Sequence, residues 1–382
     1  MTATEMRTDE EILGRVDVND VDAITELARA NVDPDEVAHA VADQADALFT
    51  WDYEKAARPK LDKLYEKAKR SQWNAQTDLD WSIEVDRETA FKFIPVEDDP
   101  EAAYWRHNPD SPVVSWGDKE WDQFELESFA WRLSQFLHGE QGALLCTAKI
   151  VETVPWIDAK YYAATQVVDE ARHVEVFDKY IDEKLDMRYP INPHLRMLLD
   201  DIINDSRWDM TYLGMQIMVE GLALAAFGFM HQLTNEPLLK KLLRYVMSDE
   251  ARHVAFGVLS LQEVYGEMDA ADIRERQEFA FEAAVRMRDR FLQQEVWEKM
   301  GADTKAACRH ALDMPEELKI FQQLLFSKIV PNCKKLGLID AGDGWLRDRF
   351  TEIGVIQFED LQDTGEEYAD FSIDEELQQA AG

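Results

Sequence analysis

VDEARHVEVF at residues 168–177 and SDEARHVAFG at residues 248–257 share the hexapeptide DEARHV at an offset of 80 residues. Chance is a poor explanation for an identity of that length, so the two stretches are read as copies of one structural unit. Each copy sets a glutamate and a histidine at i and i+3: Glu170 with His173, and Glu250 with His253. On a helix those positions share a face, so each pair can hold one metal ion jointly. The whole chain has eight histidines, and two of them stand here.

Working outward, Glu140 in HGEQGALL (138–145) lies thirty residues before Glu170, and Glu220 in MVEGLALA (218–225) lies thirty before Glu250. Pro155 is the midpoint of the first interval; Asn235, beside Pro237, is the midpoint of the second. The spacing predicts two antiparallel helical hairpins in which every glutamate stands about 22 Å from its turn, at about 1.5 Å per residue. Packed face to face, the hairpins gather four carboxylates and two imidazoles at one level. Four buried carboxylates repel one another and lose their hydration, a cost that two divalent cations offset. Carboxylate with imidazole and no thiolate suits iron or manganese, with zinc left open by ligand type. Asp169 and Asp249, each preceding a ligand glutamate, are placed to accept a hydrogen bond from the imidazole of the opposite hairpin, and Arg172 and Arg252 to pair with those aspartates.

These six residues make the chain resemble the di-iron carboxylate branch of the ferritin-like superfamily, whose ligand set is a glutamate from each of two helices and Glu-x-x-His from each of two others. That branch includes ribonucleotide reductase small subunits, bacterial monooxygenase hydroxylases, acyl carrier protein desaturases and di-iron N-oxygenases. The resemblance covers roughly residues 120–265 and implies an all-α fold: a ferritin-like four-helix bundle with additional flanking helices. Three positions depart from particular members. Phe177 stands where reductase subunits usually carry a radical tyrosine, with Tyr180 and Tyr162 two to three turns from His173. Leu224 replaces a hydroxylase threonine, and Val246 replaces the extra histidine of the N-oxygenases. Helical spacing places Phe136, Leu137, Leu144 and Thr147 around Glu140, and Gln216, Ile217, Ala223, Leu224 and Phe227 around Glu220, as candidates for a mostly apolar pocket. His138, His231 and His310 are read as ordinary surface or core histidines, and Glu152 and Glu175 as solvated or ion-paired.

The rest of the chain sets the limits. It has 382 residues, 77 acidic against 41 basic, and a formal charge of -36, which argues against nucleic acid or an anionic membrane as partner. Cys146, Cys308 and Cys333 are too few and too far apart for a disulfide framework or a CxxC knuckle, so a reducing cytoplasm is expected. Residues 1–20 read as a frayed tail. Residues 35–73 read as helix broken near Pro59, and 78–115 as an irregular connector pinned by Trp81, Phe91, Phe93, Tyr104 and Trp105. The di-metal four-helix core spans 121–265; N-terminal helices and the connector, 21–120, precede it, and C-terminal helices packed on the core, 266–340, follow it, expected over 271–300 and 315–335. Residues 341–382 read as an acidic tail, with Tyr368 and Phe371 as features of a docking peptide.

The expectation from these observations is an O2-dependent di-iron oxygenase or oxidase. Such an enzyme hydroxylates, desaturates or N-oxygenates a small, largely apolar organic substrate. Its cofactors are two iron ions, with Mn/Fe or Mn/Mn open, and O2 as co-substrate. No Gly-rich dinucleotide fingerprint occurs, so a separate ferredoxin or reductase is the expected electron donor. A homodimer is expected. The alternatives are a radical-generating, ribonucleotide-reductase-like subunit and a ferroxidase or iron-binding protein.

Overall fold

The computed structural model describes residues 7–30, 36–53, 58–87 and 99–366. Among them there is no strand. Four helices precede the core: α1 (Asp9–Leu13), α2 (Val21–Ala30), α3 (Pro59–Arg70) and α4 (Pro100–His107). The core runs through α5 (Asp118–Thr153), α6 (Ile157–Tyr180), α7 (Pro193–Asn204), α8 (Trp208–Tyr212), α9 (Glu220–Leu233) and α10 (Pro237–Tyr265). Six further helices cover it: α11 (Ala270–Arg290), α12 (Gln294–Lys299), α13 (Thr304–Leu312), α14 (Ile320–Leu324), α15 (Ile329–Lys335) and α16 (Trp345–Glu352).

The two hairpins form where the prolines stop and restart helix. Pro155 follows the end of α5, because a proline ring disfavours helix in the residue before it. Pro237 opens α10 at a position whose N–H needs no partner, and the Glu236 carboxylate accepts from the Leu238 and Leu239 N–H groups. The segment from Trp208 to Leu233 is long and apolar enough to cross a membrane, but 78% of its most apolar window is buried inside the protein. Its apolarity is that of a core helix. Within it, Leu213–Val219 is π-helical, and the Glu220 N–H donates to the Met215 carbonyl five residues back. A second π turn, Ile181–Leu185, ends α6.

Close packing sets two glycines. A Cβ at Gly142 of α5 would lie 2.5 Å from the Leu199 side chain of α7, and one at Gly257 of α10 would lie 2.5 Å from Gln216 Cβ in the π turn. At both positions a neighbouring side chain fills the space that a Cβ would take.

The flanks correct several expectations. Residues 36–53 form no helix, despite helical spacing, because their polar groups bond the core instead of each other. His39 Nε2 lies 3.0 Å from Asp200, the Asn204 amide donates to Ala42 O at 2.9 Å, and the Leu48 N–H donates to Glu152 O at 2.8 Å. A short isolated helix is too marginal to resist that competition. From residue 7 onward the amino-terminal stretch is not frayed: Thr8 and Glu11 form a capping box, and Arg7 and Arg15 pair with Glu278 and Asp289 at 2.6 Å. Between 271 and 300 the helix breaks at residues 291–293, where Gln293 takes a left-handed φ of 53°. Residues 315–335 hold a 3-10 turn and two short helices rather than one helix. The acidic segment is folded as far as residue 366. Arg349 of α16 pairs with Asp9 at 2.7 Å, and Thr364 N–H donates to the buried Asn332 side chain at 2.9 Å. Within the connector, α4 is helical and Trp105 is buried; Phe91, Phe93, Tyr368 and Phe371 lie outside the described residues.

Candidate metal centre

Helices α5, α6, α9 and α10 bring all six sequence-predicted ligands together. Donor atoms of Glu140, Glu170, His173 and Glu250 lie within 4.8 Å of one another, as do those of Glu170, Glu220 and His253. Every one of these residues is buried. Glu170 is common to both groups, so it can bridge two ions.

The imidazoles are oriented from behind. His173 turns Nε2 to Asp249 Oδ2 at 3.2 Å, and His253 turns Nε2 to Asp169 Oδ2 at 3.3 Å. Each aspartate thus belongs to the opposite hairpin, where the sequence placed it. With Nε2–H donating, each Nδ1 lone pair faces the carboxylates: His173 Nδ1 is 3.1 Å from Glu250 Oε1, and His253 Nδ1 is 3.1 Å from Glu170 Oε1. Arg172 pairs with Asp169 and reaches Asp249 at 3.4 Å; Arg252 pairs with Asp249 and reaches Asp169 at 3.5 Å.

Titration follows from this crowding. Burial, reinforced by the charge on Glu250, pushes the Glu140 carboxyl up to about 8. Burial and the charges of Glu170 and Glu250 push Glu220 well above the usual carboxylate range. Burial alone would raise Glu170 too, but the charges of His253 and His173, whose Nδ1 atoms lie 3.1 and 3.5 Å from its carboxylate, hold it below that range. Both histidines, against the downward push of burial, are raised well above their ordinary value by Glu140 and Glu170.

The residues fit a two-ion cofactor by their orphaned atoms. Glu170 Oε2, Glu220 Oε2, both carboxylate oxygens of Glu250 and His253 Nδ1 are buried without a hydrogen-bond partner. Buried polar atoms are rarely left so, and here they converge on one space. That space, a buried glutamate and histidine set of hard oxygen and imidazole donors, is able to bind two metal ions.

Of the pocket candidates, Phe136 and Ala223 line a small cavity of about 20 Å³ against the centre, with Gln135, Gly139, Ala143, Val219 and Arg290. The others lie elsewhere. Phe227 stacks with Phe177 and tilts against Phe136, Leu224 packs with Ala251 and Val254, and Gln216 and Ile217 press on Gly257. Leu137, Leu144 and Thr147 do not line the cavity. A larger cavity of 360 Å³ is walled by Trp105, Phe124, Phe229, Trp297 and Phe321, from α4, α5, α9, α12 and α14. His138 bonds Tyr189 O, His310 stacks on Tyr104, His231 is half-buried and Glu175 accepts from Gln76. Tyr180 donates to Glu236 at 3.0 Å.

Three residues went unread in the sequence. Gln166, one turn before Glu170 on the same face, donates at 2.9 Å to both Glu170 and Glu220. Trp73 Nε1 donates at 2.7 Å to Asp249, and its ring stacks 4.9 Å from that of Tyr245. Gln166 was open to helical spacing; Trp73, 97 residues before Glu170, gave no local signal. Arg290 is the third.

No family model matches this chain, and no curated protein matches it. Among solved structures, it is similar to an R2-like ligand-binding oxidase with aerobically reconstituted metal cofactor after photoconversion. The identity is 17%, over 74% of this chain and 94% of that one, with a TM-score of 0.49. A second, the R2-like ligand-binding oxidase with aerobically reconstituted Mn/Fe cofactor (long soak), is 18% identical over 74% and 92%, with a TM-score of 0.47. On its own geometry the chain has the ferritin-like arrangement: a glutamate from each of two helices facing Glu-x-x-His from each of two others.

Proposed function

We propose that the protein is a two-metal oxidase or oxygenase that uses O2 to oxidise a small organic molecule beside the ions. The observation that carries this reading is the convergence of the buried, hydrogen-bond-free atoms of Glu170, Glu220, Glu250 and His253 on one enclosed space. Glu140, His173 and Glu250 would hold one ion, Glu220 and His253 the other, with Glu170 between them. Two bound iron ions, or a manganese and an iron, supply the electrons and oxidising power that no side chain provides. The chain's own residues do the rest. Asp169 and Asp249 fix the imidazole tautomers, Arg172 and Arg252 balance those aspartates, and Phe136, Phe177 and Phe227 keep bulk water from the centre.

The test is O2 uptake by protein loaded with about two ferrous ions per chain, followed with and without candidate organic substrates. Uptake accelerated by a substrate that is itself oxidised supports the reading. Accumulation of many ferric ions per chain overturns it in favour of an iron store.

A second reading, a radical-generating subunit, is favoured by one feature: the hydrogen-bonded line from His173 through Asp249 to Trp73, with Tyr245 stacked beyond. The same line equally serves inward electron delivery from a separate reductase. Electron paramagnetic resonance separates the two, because a stable tyrosyl radical after O2 exposure belongs only to the radical subunit.

A further inference from the structure

Five aromatic rings run in unbroken contact from beside the ligands to the surface at one end of the bundle. Phe256 of α10 stands three residues past His253, on the same helix face. Its ring centroid is 4.4 Å from that of Tyr162 on α6 and 5.1 Å from that of Tyr212 on α8. Tyr212 meets Trp208 at 5.5 Å, and Trp208 meets Trp156, the residue before α6, at 5.2 Å. All four separations are those of rings in direct contact. Tyr162 also stands one turn before Gln166, whose amide bonds Glu170 and Glu220, so the inner end adjoins the ligands through both α6 and α10.

Burial grades along the file. Tyr162, Phe256 and Tyr212 are wholly buried, and Trp208 and Trp156 are half-buried. At the outer end the Thr50 hydroxyl donates to Pro155 O at 2.8 Å, which sets the exposed Phe49 and Trp51 rings beside the Trp156 turn. Arg58 lies 4.0 Å over the Trp156 ring, with its charge answered by Glu263 at 2.8 Å. The file shares no residue with the line from His173 through Asp249 to Trp73.

A centre that activates O2 endangers its own protein when no substrate is present, because the oxidising equivalent falls on the nearest oxidisable side chain. Here such chains are close. Burial and the charges of Glu220 and Glu170 push the Cys146 thiol up, which sets it near the ligands, and Met215 and Met218 lie buried in the π turn that leads to Glu220. Thiols and thioethers are the side chains most readily lost to oxidation. Indole gives up a single electron more easily than any aliphatic group, and it does so without first losing its proton.

We infer that this aromatic file discharges oxidising equivalents from a substrate-free metal centre to the surface, a protective function separate from substrate oxidation. The inference rests on the two-metal reading. Trp208 gives one electron inward, across Tyr212 and the redox-inert Phe256, to the oxidised centre, and recovers one from Trp156. The Trp156 indole then releases its N–H proton to water. A low-molecular-weight thiol returns one electron and one proton to it, and two thiyl radicals so formed join as a disulfide. Burial pushes the Tyr212 phenol well above its ordinary value, so that ring keeps its proton and passes charge on instead of trapping it as a stable radical.

The experiment loads full-length protein with about two ferrous ions per chain, admits O2 without organic substrate and with catalase present, and maps oxidised side chains by peptide mass spectrometry. Metal-free protein is treated alike, and Trp345, half-buried on α16 and off the file, gauges diffusible oxidants. Wild type should gain oxidation at Trp156 and Trp208 when loaded, with Trp345 unchanged, and glutathione should suppress that gain. Trp208→Phe keeps a ring in the gap but one too hard to oxidise; it should return Trp156 to the metal-free level and move the damage inward to Cys146 and the π-turn methionines. No excess at Trp208 in loaded over metal-free protein, an equal rise at Trp345, persistence under glutathione, or undiminished Trp156 oxidation in Trp208→Phe overturns the inference. Should Trp208→Phe not fold, Trp156→Phe decides: oxidation should then stop at Trp208 and resist glutathione, and full rescue by the thiol overturns the inference. O2 uptake in the same samples separates the two failures. Uptake without oxidation along the file overturns this inference alone, and no uptake overturns the oxidase reading with it.

Discussion

The two hairpins are related by an offset of 80 residues, yet the positions that surround the ligands differ between them. On the first, α5 and α6, the residues one turn before Glu140 and one turn past His173 are Phe136 and Phe177, and their rings lie 6.4 Å apart. On the second, the equivalent positions are Gln216, within the π turn, and Gly257, where the Gln216 side chain fills the space of a Cβ. Gln166 of α6 bridges Glu170 and Glu220, whereas its counterpart on α10 is the apolar Val246. Asp249 receives Trp73, and Asp169 receives Gln72. The repeat thus preserves what grips metal and varies what surrounds it. Ligand geometry is fixed by the chemistry of the ions; the walls are free to make one side open and the other tight.

The largest effect should come from the one ligand that both groups share. Glu170→Ala is expected to take metal content from about two ions per chain to none, whereas Glu140→Ala and Glu220→Ala each leave one ion group's remaining donors in place. Elemental analysis of the three variants decides it, and equal losses in all three would erase the bridging role. Metal removal should also lower stability: at free metal about a thousandfold above Kd the loaded protein gains about 4 kcal/mol, and Glu170→Ala should show no such gain in thermal unfolding.

Next in size are the aspartates. Asp169→Asn and Asp249→Asn should keep the fold and weaken metal retention roughly 10- to 100-fold, because an asparagine no longer fixes the imidazole with a full charge. Competition with a chelator measures this. If the two variants leave retention unchanged, the aspartates serve only the arginines.

How much of this was legible in the sequence depends on the range of the interaction. Glu170, His173, Glu250 and His253, with the aspartates and arginines behind them, all lie within the repeat, and Glu140 and Glu220 stand at one fixed distance of thirty residues before it, so periodicity and two proline positions placed them together. The thirty-residue arithmetic survives the π turn because Leu213–Val219 lies before Glu220 and not between it and Glu250. The pocket was read less well, since spacing gives a helix face but not the rotation that an extra residue per turn introduces, and Gln216, Ile217 and Leu224 were turned elsewhere. Arg290 and Trp73 reach the site from elements distant in sequence, where no spacing rule operates. The helical expectation for residues 36–53 failed for a related reason: the hydrogen bonds of His39, Ala42 and Leu48 go to α5 and α7, and local propensity yields to them.

The tight side can be tested by filling it. Gly257→Ala places a methyl carbon 2.5 Å from Gln216 Cβ, and overpacking of a formed core typically costs about 1–3 kcal/mol. Denaturant unfolding of the metal-loaded variant should show that loss, and a neutral result would mean the π turn yields easily.

The smallest structural effect is expected on the open side. Ala223 is half-buried on α9 and lines the cavity beside Glu220, while its repeat mate Ala143 lines the same space from α5. Enlarging Ala223 to Leu adds three carbons beside a cavity with room for only a water-sized group, but the half-buried position lets the new side chain turn partly outward, so the stability cost should stay at the low end of overpacking, about 1 kcal/mol, and both ions should remain. What should change is access: the added side chain occupies the space between Glu220 and Arg290 that a substrate's polar group would enter. A variant that keeps two ions and near-wild-type unfolding but loses substrate-stimulated O2 uptake would place the reacting molecule on the Phe136 side of the centre. Full activity in that variant would move the substrate to the side of Gln216 and Gly257, where the Gln216 side chain packs against the glycine, and would reverse the assignment of open and tight.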